Sequence, residues 1–443
     1  MGRYAIPYGK TTVEFELPDE WSVERIVPAP APPVARPKEA VERALAKPVG
    51  AFSWDTLGAG LTVAIAVNDK TRPVPHEHLL PPLLSRLEAA GVRPEAIRLI
   101  VATGTHPPMA PEELPGILPA DILSRYEVIS HDATREEDLA TVGETARGTP
   151  MRINRRFLEA DARIVIGNIE PHQFMGFSGG VKSAVIGLAA KETINHNHAM
   201  MSRPEAVAGR FEDNPARQDV EEMGRLVRVD LALNAILNDD KQIIEVIAGE
   251  PAEVMRRGIP RVRELYTVEI AEPCDLVIAS PGGHPKDINV YQSQKALAHA
   301  AGAVREGGGV VVAAACPEGS GSESYERWVS ARRSHEQVIA DFRAEGFRVG
   351  PHKAYQVARE ATRYHTLWVT DMPAALTETL LLERADTLEA AVEALLRRGG
   401  ATGATGGTET KRRAETARTR PRIGIIPYAN ATMVQVRGGG EGE

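Results

Sequence analysis

The sequence lacks what a disulfide-bonded, membrane-spanning or nucleic-acid-binding chain would need. Two cysteines in 443 residues cannot form a disulfide framework, so a reducing cytoplasm is the expected compartment. No apolar run approaches the ~18 residues of a membrane-spanning helix, and no membrane partner is expected. The opening MGRYAIPYGK has no apolar stretch of the kind a signal peptide carries. Positive charge is not in excess: 52 Lys and Arg against 60 Asp and Glu leave a net charge of −8. Nucleic acid rewards concentrated positive charge, so no nucleic-acid partner is expected. There is no internal repeat. C-x-x-C, H-E-x-x-H and clustered carboxylates are also missing, which excludes a conventional metal site built from side chains alone.

What is present describes a globular α/β chain. Hydrophobic residues make up 43% and charged residues 25%, values that rule out wholesale disorder. At about 150 residues per domain the length suggests two or three domains. Short Val- and Ile-rich runs at Leu61–Val67, Ile97–Ala102, Arg163–Gly167, Asp275–Ala279, Val310–Ala314 and Arg422–Ile426 lack strict alternation. Strands covered on both faces of a parallel sheet have this pattern. Helical spacing lies between them at His78–Ala90, Val181–Ala190, Val290–Ala303, Ser334–Glu345 and Thr387–Arg398. The alternation predicts two α/β domains with largely parallel, doubly wound sheets and an active site in the interdomain cleft. The expected layout is an N-terminal domain over 1–268, a C-terminal domain over 269–400 and a Gly-, Thr- and Arg-rich linker over 401–421. A final strand in 422–443 is expected to return to the N-terminal domain. Residues 28–38, rich in proline, read as a surface connector.

The unusual polar residues follow the strand ends. In a parallel sheet such loops leave one edge, where ligands bind. After the first strand come Asp69, Lys70, Thr71 and Arg72; after the second, Gly104-Thr105-His106-Pro107. The third leads to Pro171-His172 and then to Gly176-Phe177-Ser178-Gly179-Gly180-Val181-Lys182-Ser183. That glycine loop matches a phosphate-binding P-loop except that Val181 stands where glycine belongs. It reads either as an anion-binding turn with Lys182 beside the anion or as a tight turn with a solvated lysine. His106 and His172 each sit next to proline at a strand end. An imidazole, with its pKa near ~6.5, suits proton exchange there. His196 and His198 form an H-x-H pair, so any metal would take its other ligands from something besides side chains. Arg72 and Lys295 are candidates for an anionic substrate. Both cysteines, Cys274 and Cys316, read as core residues.

Five strings in this order resemble the nickel-dependent lactate racemase family: DKTRP at 69–73, GTHP at 104–107, EPHQFMGFSGGVKS at 170–183, ETINHNH at 192–198 and YQSQK at 291–295. The resemblance implies an isomerase, a racemase or epimerase of 2-hydroxy acids, with nickel and a nickel-pincer nucleotide as cofactor. It implies that Lys182 holds the nucleotide covalently and that His198 is the nickel ligand. By the same resemblance His106 and His172 alternate as acid and base. Asp69, Lys70, Thr71 and Arg72, with Ser178, Gly179 and Gly180, then contact the cofactor. Arg72, Tyr291, Gln292 and Lys295 contact the substrate, and cofactor-building enzymes are partners. Lys70 and Gln173 stand where substrate preference could change. The alternatives from the residues alone are a phosphate- or nucleotide-binding module without racemase chemistry and a metal-dependent hydrolase using His196 and His198.

Overall fold

A computed structural model describes residues 1–238, 240–401 and 420–437. Most of the expected linker, 402–419, and the tail 438–443 lie outside the described residues. The chain divides into two compact units, residues 30–265 and residues 1–29 with 266–443. The α/β class with parallel-dominated sheets holds in both.

The chain opens with an antiparallel hairpin, β1 (Gly2–Tyr8) and β2 (Thr11–Leu17), followed by a short strand, β3 (Ser22–Arg25). The unit 30–265 then supplies β4 (Val63–Asn68), β5 (Ile97–Ala102), β6 (Glu127–Ser130), β7 (Ala162–Asn168), β8 (Leu231–Leu237) and β9 (Ile243–Gly249). They form one sheet in the order β9-β8-β7-β4-β5-β6. Only the β8–β9 pair is antiparallel. Val63 through Val67 are buried without interruption, as a central parallel strand requires. Helix α1 (His76–Ala89) seals this sheet with Leu79, Leu80, Leu83, Leu84 and Leu87. Their spacing puts an apolar stripe on one face of the helix.

Further helices of this unit carry the site: α2 (Lys182–Val185), α3 (Lys191–Ala199) and α4 (Pro215–Val227). The helix expected over Val181–Ala190 is cut to the single turn α2. After Ile186, Gly187 packs so closely on the Ser183 carbonyl that a Cβ would lie 2.4 Å from it, and the chain leaves the helix there.

The other unit builds its sheet from β10 (Cys274–Ala279), β11 (Val304–Ala313), β12 (His365–Val369), β13 (Arg384–Ala385) and β14 (Arg422–Ile426), together with β3. The order is β13-β12-β11-β10-β14-β3, all parallel. Helices α5 (Val290–Ala300), α6 (His335–Glu345) and α7 (Leu388–Ala401) belong here. Two expectations are corrected. The final strand does not return to the N-terminal domain; β14 inserts between β10 and β3. Residues 1–29 also belong to this unit, not to a 1–268 domain. The physical reason is that β14 is buried, so its backbone N–H and C=O groups need partners on both edges, which β10 and β3 supply. Both cysteines are buried and unpaired.

Candidate active site

Within the unit 30–265, β4, β5 and β7 run parallel with Asn68 opposite Ala102 and Ala66 opposite Val165. Their carboxyl ends therefore form one rim, and the polar loops leave from it. A cavity of about 150 Å³, partly open to solvent, lies at this rim. Asp69, Thr71 and Arg72 line it after β4, and His106 after β5. His172, Ser178, Gly179 and Lys182 line it after β7, and His198 of α3 completes it. Segments more than a hundred residues apart thus share one hollow.

The first loop is a side-chain-closed turn. Asp69 Oδ1 accepts the Thr71 backbone N–H at 3.1 Å and its hydroxyl at 2.7 Å. The other oxygen, Oδ2, lies 2.8 Å from His106 Nδ1. Burial pushes the Asp69 carboxyl up, but the bonds from His106 and Thr71 outweigh it and hold it below the usual carboxylate range. An ionised Asp69 only accepts, so His106 Nδ1 carries a proton and Nε2 is the nitrogen available for proton exchange.

His172 sits in a two-residue antiparallel bridge, Pro171–His172 against Gly176–Phe177. Gly176 is required there: its φ is +70° and a Cβ would lie 1.6 Å from the Arg210 carbonyl oxygen. The Met175 backbone N–H points at His172 Nδ1 at 3.3 Å. Phe174, buried, stands edge-on to both imidazoles, its ring centroid 5.0 Å from His172 and 5.0 Å from His198. It is a packing partner that the sequence offers only as one more letter of the 170–183 string.

The glycine loop is braced from behind. Gly180 donates its N–H to Asn234 Oδ1 at 2.7 Å, and a Cβ there would lie 2.8 Å from Met255. Its N–H is therefore directed at the core, so Gly180 braces the turn that carries Ser178, Gly179 and Lys182. Arg217 of α4 is fully buried and donates to the carbonyls of Phe177 and Gly179 at 3.1 Å each and to Glu221 at 2.5 Å. Removing the guanidinium leaves the buried Glu221 carboxylate and two carbonyls unpaired, at a cost of about 3–5 kcal/mol. Arg217→Met should lower the thermal midpoint by roughly 10 °C; a midpoint within a degree or two of the parent contradicts this role.

Lys70 is exposed and pairs with Glu113. Tyr291, Gln292 and Lys295 lie on α5 of the other unit. Lys295 Nζ donates to Gln292 Oε1 at 2.7 Å, and the Lys353 ammonium lies 4.7 Å from the centre of the Tyr291 ring. His196 is exposed, its Nδ1 2.9 Å from Thr149 Oγ1. Sequence reasoning missed Arg217, Asn234, Asn197 and Asp219. All four are buried polar residues, and each has at least one partner distant in the chain. The one local signal was Asn214-Pro215, a helix start that places Arg217 and Asp219 in the first turns of α4.

Models of the lactate racemase N-terminal domain and the lactate racemase C-terminal domain match residues 8–209 and 269–403. A domain of unknown function matches 120–324, overlapping both. The lactate racemase of Thermoanaerobacterium thermosaccharolyticum is 32% identical over 352 residues, which covers 78% of this chain and 82% of that protein. The lactate racemase of Lactiplantibacillus plantarum is 32% identical over 406 residues, or 89% of this chain and 95% of that one. The solved structure of the lactate racemase apoprotein from T. thermosaccharolyticum aligns with a TM-score of 0.85 at 28% identity, covering 98% of this chain and all of that one. A crystal structure of a Thermotoga maritima protein shares the fold at 18% identity, with a TM-score of 0.62 over 90% of this chain and 97% of that one.

The two α/β units and these matches define an isomerase of the racemase class. The chain belongs to the lactate racemase family.

Proposed function

We propose that this enzyme interconverts the enantiomers of a lactate-like 2-hydroxy acid, using a nickel-pincer nucleotide joined to Lys182 with nickel bound by His198. The observation that carries this reading is the gathering of His106, His172, Lys182 and His198 on one cavity. The donor set fits such a group. Among the described residues no three His, Cys, Asp or Glu side chains gather to hold a metal. A metal at His198 would therefore take its other ligands from a bound molecule. Asn168, on the cavity lining, donates its amide Nδ2 to the Pro73 carbonyl at 3.1 Å and so holds the first loop against the rim. When bound, the group supplies a hydride acceptor, which amino-acid side chains do not offer.

The residues of this chain bind, orient and move protons. Arg72 has no ion-pair partner among the described residues and presents its planar fork for a carboxylate. His106, held at Nδ1 by Asp69, takes or returns the hydroxyl proton through Nε2 for one hand of the substrate, and His172 does so for the other. Tyr291, Gln292 and Lys295 are assigned to the substrate from the family resemblance. The hydrolase alternative has no third ligand beside His196 and His198 among the described residues.

Loaded protein, made together with the cofactor-building enzymes, should racemise lactate or a related acid from a panel of enantiopure 2-hydroxy acids in deuterated solvent. Chiral analysis should show loss of optical purity with little deuterium at the stereogenic carbon, because a returned hydride never mixes with solvent. Full deuterium incorporation would point to a carbanion route instead. No interconversion of any acid would overturn the proposal.

A further inference from the structure

The structure assigns a positioning role to Asp219 and Asn197: together they fix the tautomer of His198 so that Nε2 is its coordinating nitrogen. The inference deepens the proposed function and rests on its reading of His198 as the metal ligand.

Asp219 on α4 is fully buried and, among the described residues, has no ion pair. Burying a carboxylate this way is costly unless donors surround it. Thr145 Oγ1 donates to it at 2.6 Å, Thr149 Oγ1 at 2.8 Å and Asn197 Nδ2 at 2.9 Å. Asn197, also fully buried, donates from the same nitrogen to the Ala216 carbonyl at 2.9 Å. Both neighbours of that nitrogen are pure acceptors. Flipping the amide would press its oxygen against a carboxylate and a carbonyl, so the orientation is set by chemistry.

Asn197 Oδ1 must then face His198 Nδ1, 3.1 Å away. An amide oxygen only accepts, so Nδ1 carries the proton and Nε2 carries the lone pair. The buried negative charge at Asp219 polarises the Asn197 amide, which in turn favours the Nδ1 proton and strengthens Nε2 as a donor. Metal-binding histidines are tuned this way, by a hydrogen-bonded partner behind the ring. The arrangement also separates the two histidines of the H-x-H string. Thr149 gives its hydroxyl proton to Asp219 and so accepts from His196 Nδ1, leaving His196 exposed while His198 lines the cavity.

The test begins with apoprotein labelled with ¹⁵N-histidine, observed where imidazoles are neutral. His198 should show a protonated Nδ1 and an unprotonated Nε2, the minority form of free histidine, and Asn197→Leu should exchange the two. A parent His198 protonated at Nε2 overturns the inference without reference to any variant, so a variant that fails to fold does not blunt the test. The second readout is nickel retention in loaded protein under a chelator, per lysine adduct seen by intact mass. Asn197→Leu should lose nickel about 10–100-fold faster; equal loss overturns the role. If the parent shows the expected tautomer but carries neither adduct nor nickel, the metal-ligand reading fails while the tautomer assignment stands.

Discussion

Lys182→Ala protein, produced beside the cofactor-building enzymes, should carry no nucleotide mass and less than a tenth of the nickel of its parent, and racemisation should fall to background. Lys182 begins the single turn α2 directly after the braced glycine loop, and it lines the cavity with His198. Asn234 and Arg217 brace the loop through the backbone groups of Gly180, Phe177 and Gly179. The variant should therefore fold, with a thermal midpoint near that of the parent. A Lys182→Ala protein that keeps the adduct would move the attachment to another residue. One that loses the adduct yet still racemises would detach the chemistry from the cofactor.

The second large effect is expected at the two imidazoles. His106→Ala and His172→Ala should each cut interconversion by about 10²–10⁴-fold, the usual contribution of a positioned acid or base. The lysine adduct should remain in place in both, because neither residue is assigned to hold the nucleotide. His106 has a further handle in Asp69. Asp69→Asn keeps the shape of the turn but removes the charge that orients His106 Nδ1. Its loss should be smaller than that of His106→Ala, and combining the two should add little, since both act through one ring. Unchanged rates in both histidine variants would discard the acid–base assignment.

The parts of the fold legible in the sequence were those whose signal is local. A run such as Val63–Val67 is apolar on both faces because it is buried on both faces, and the composition records it directly. Polar clusters after β4, β5 and β7 were legible as a rim because parallel strands place their following loops on one edge. The opening hairpin was not seen. Its strands are half-exposed, with Ile6, Phe15 and Leu17 as the buried anchors, and β3 is four residues of mixed polarity. Such strands exist because of their neighbours, and neighbours are absent from a linear reading. The same holds at the site. Asp69 could be placed near a ligand from its motif, but its bond to His106 joins residues 37 apart. Gly180 looked like part of an anion loop because glycine is what such loops use. Only Asn234, 54 residues on, shows where its N–H is directed.

The pairing of β3 with β14 also sets a timetable for synthesis. When β3 leaves the ribosome, its partner lies about 400 residues downstream, a wait of roughly 20–80 s at ordinary elongation rates. Residues 30–265 are contiguous and can mature during that interval. The strand β3 cannot, and it must be sheltered from mispairing until β14 arrives. Pulse-labelled nascent chains should therefore become protease-resistant over residues 30–265 before they do so over residues 1–29.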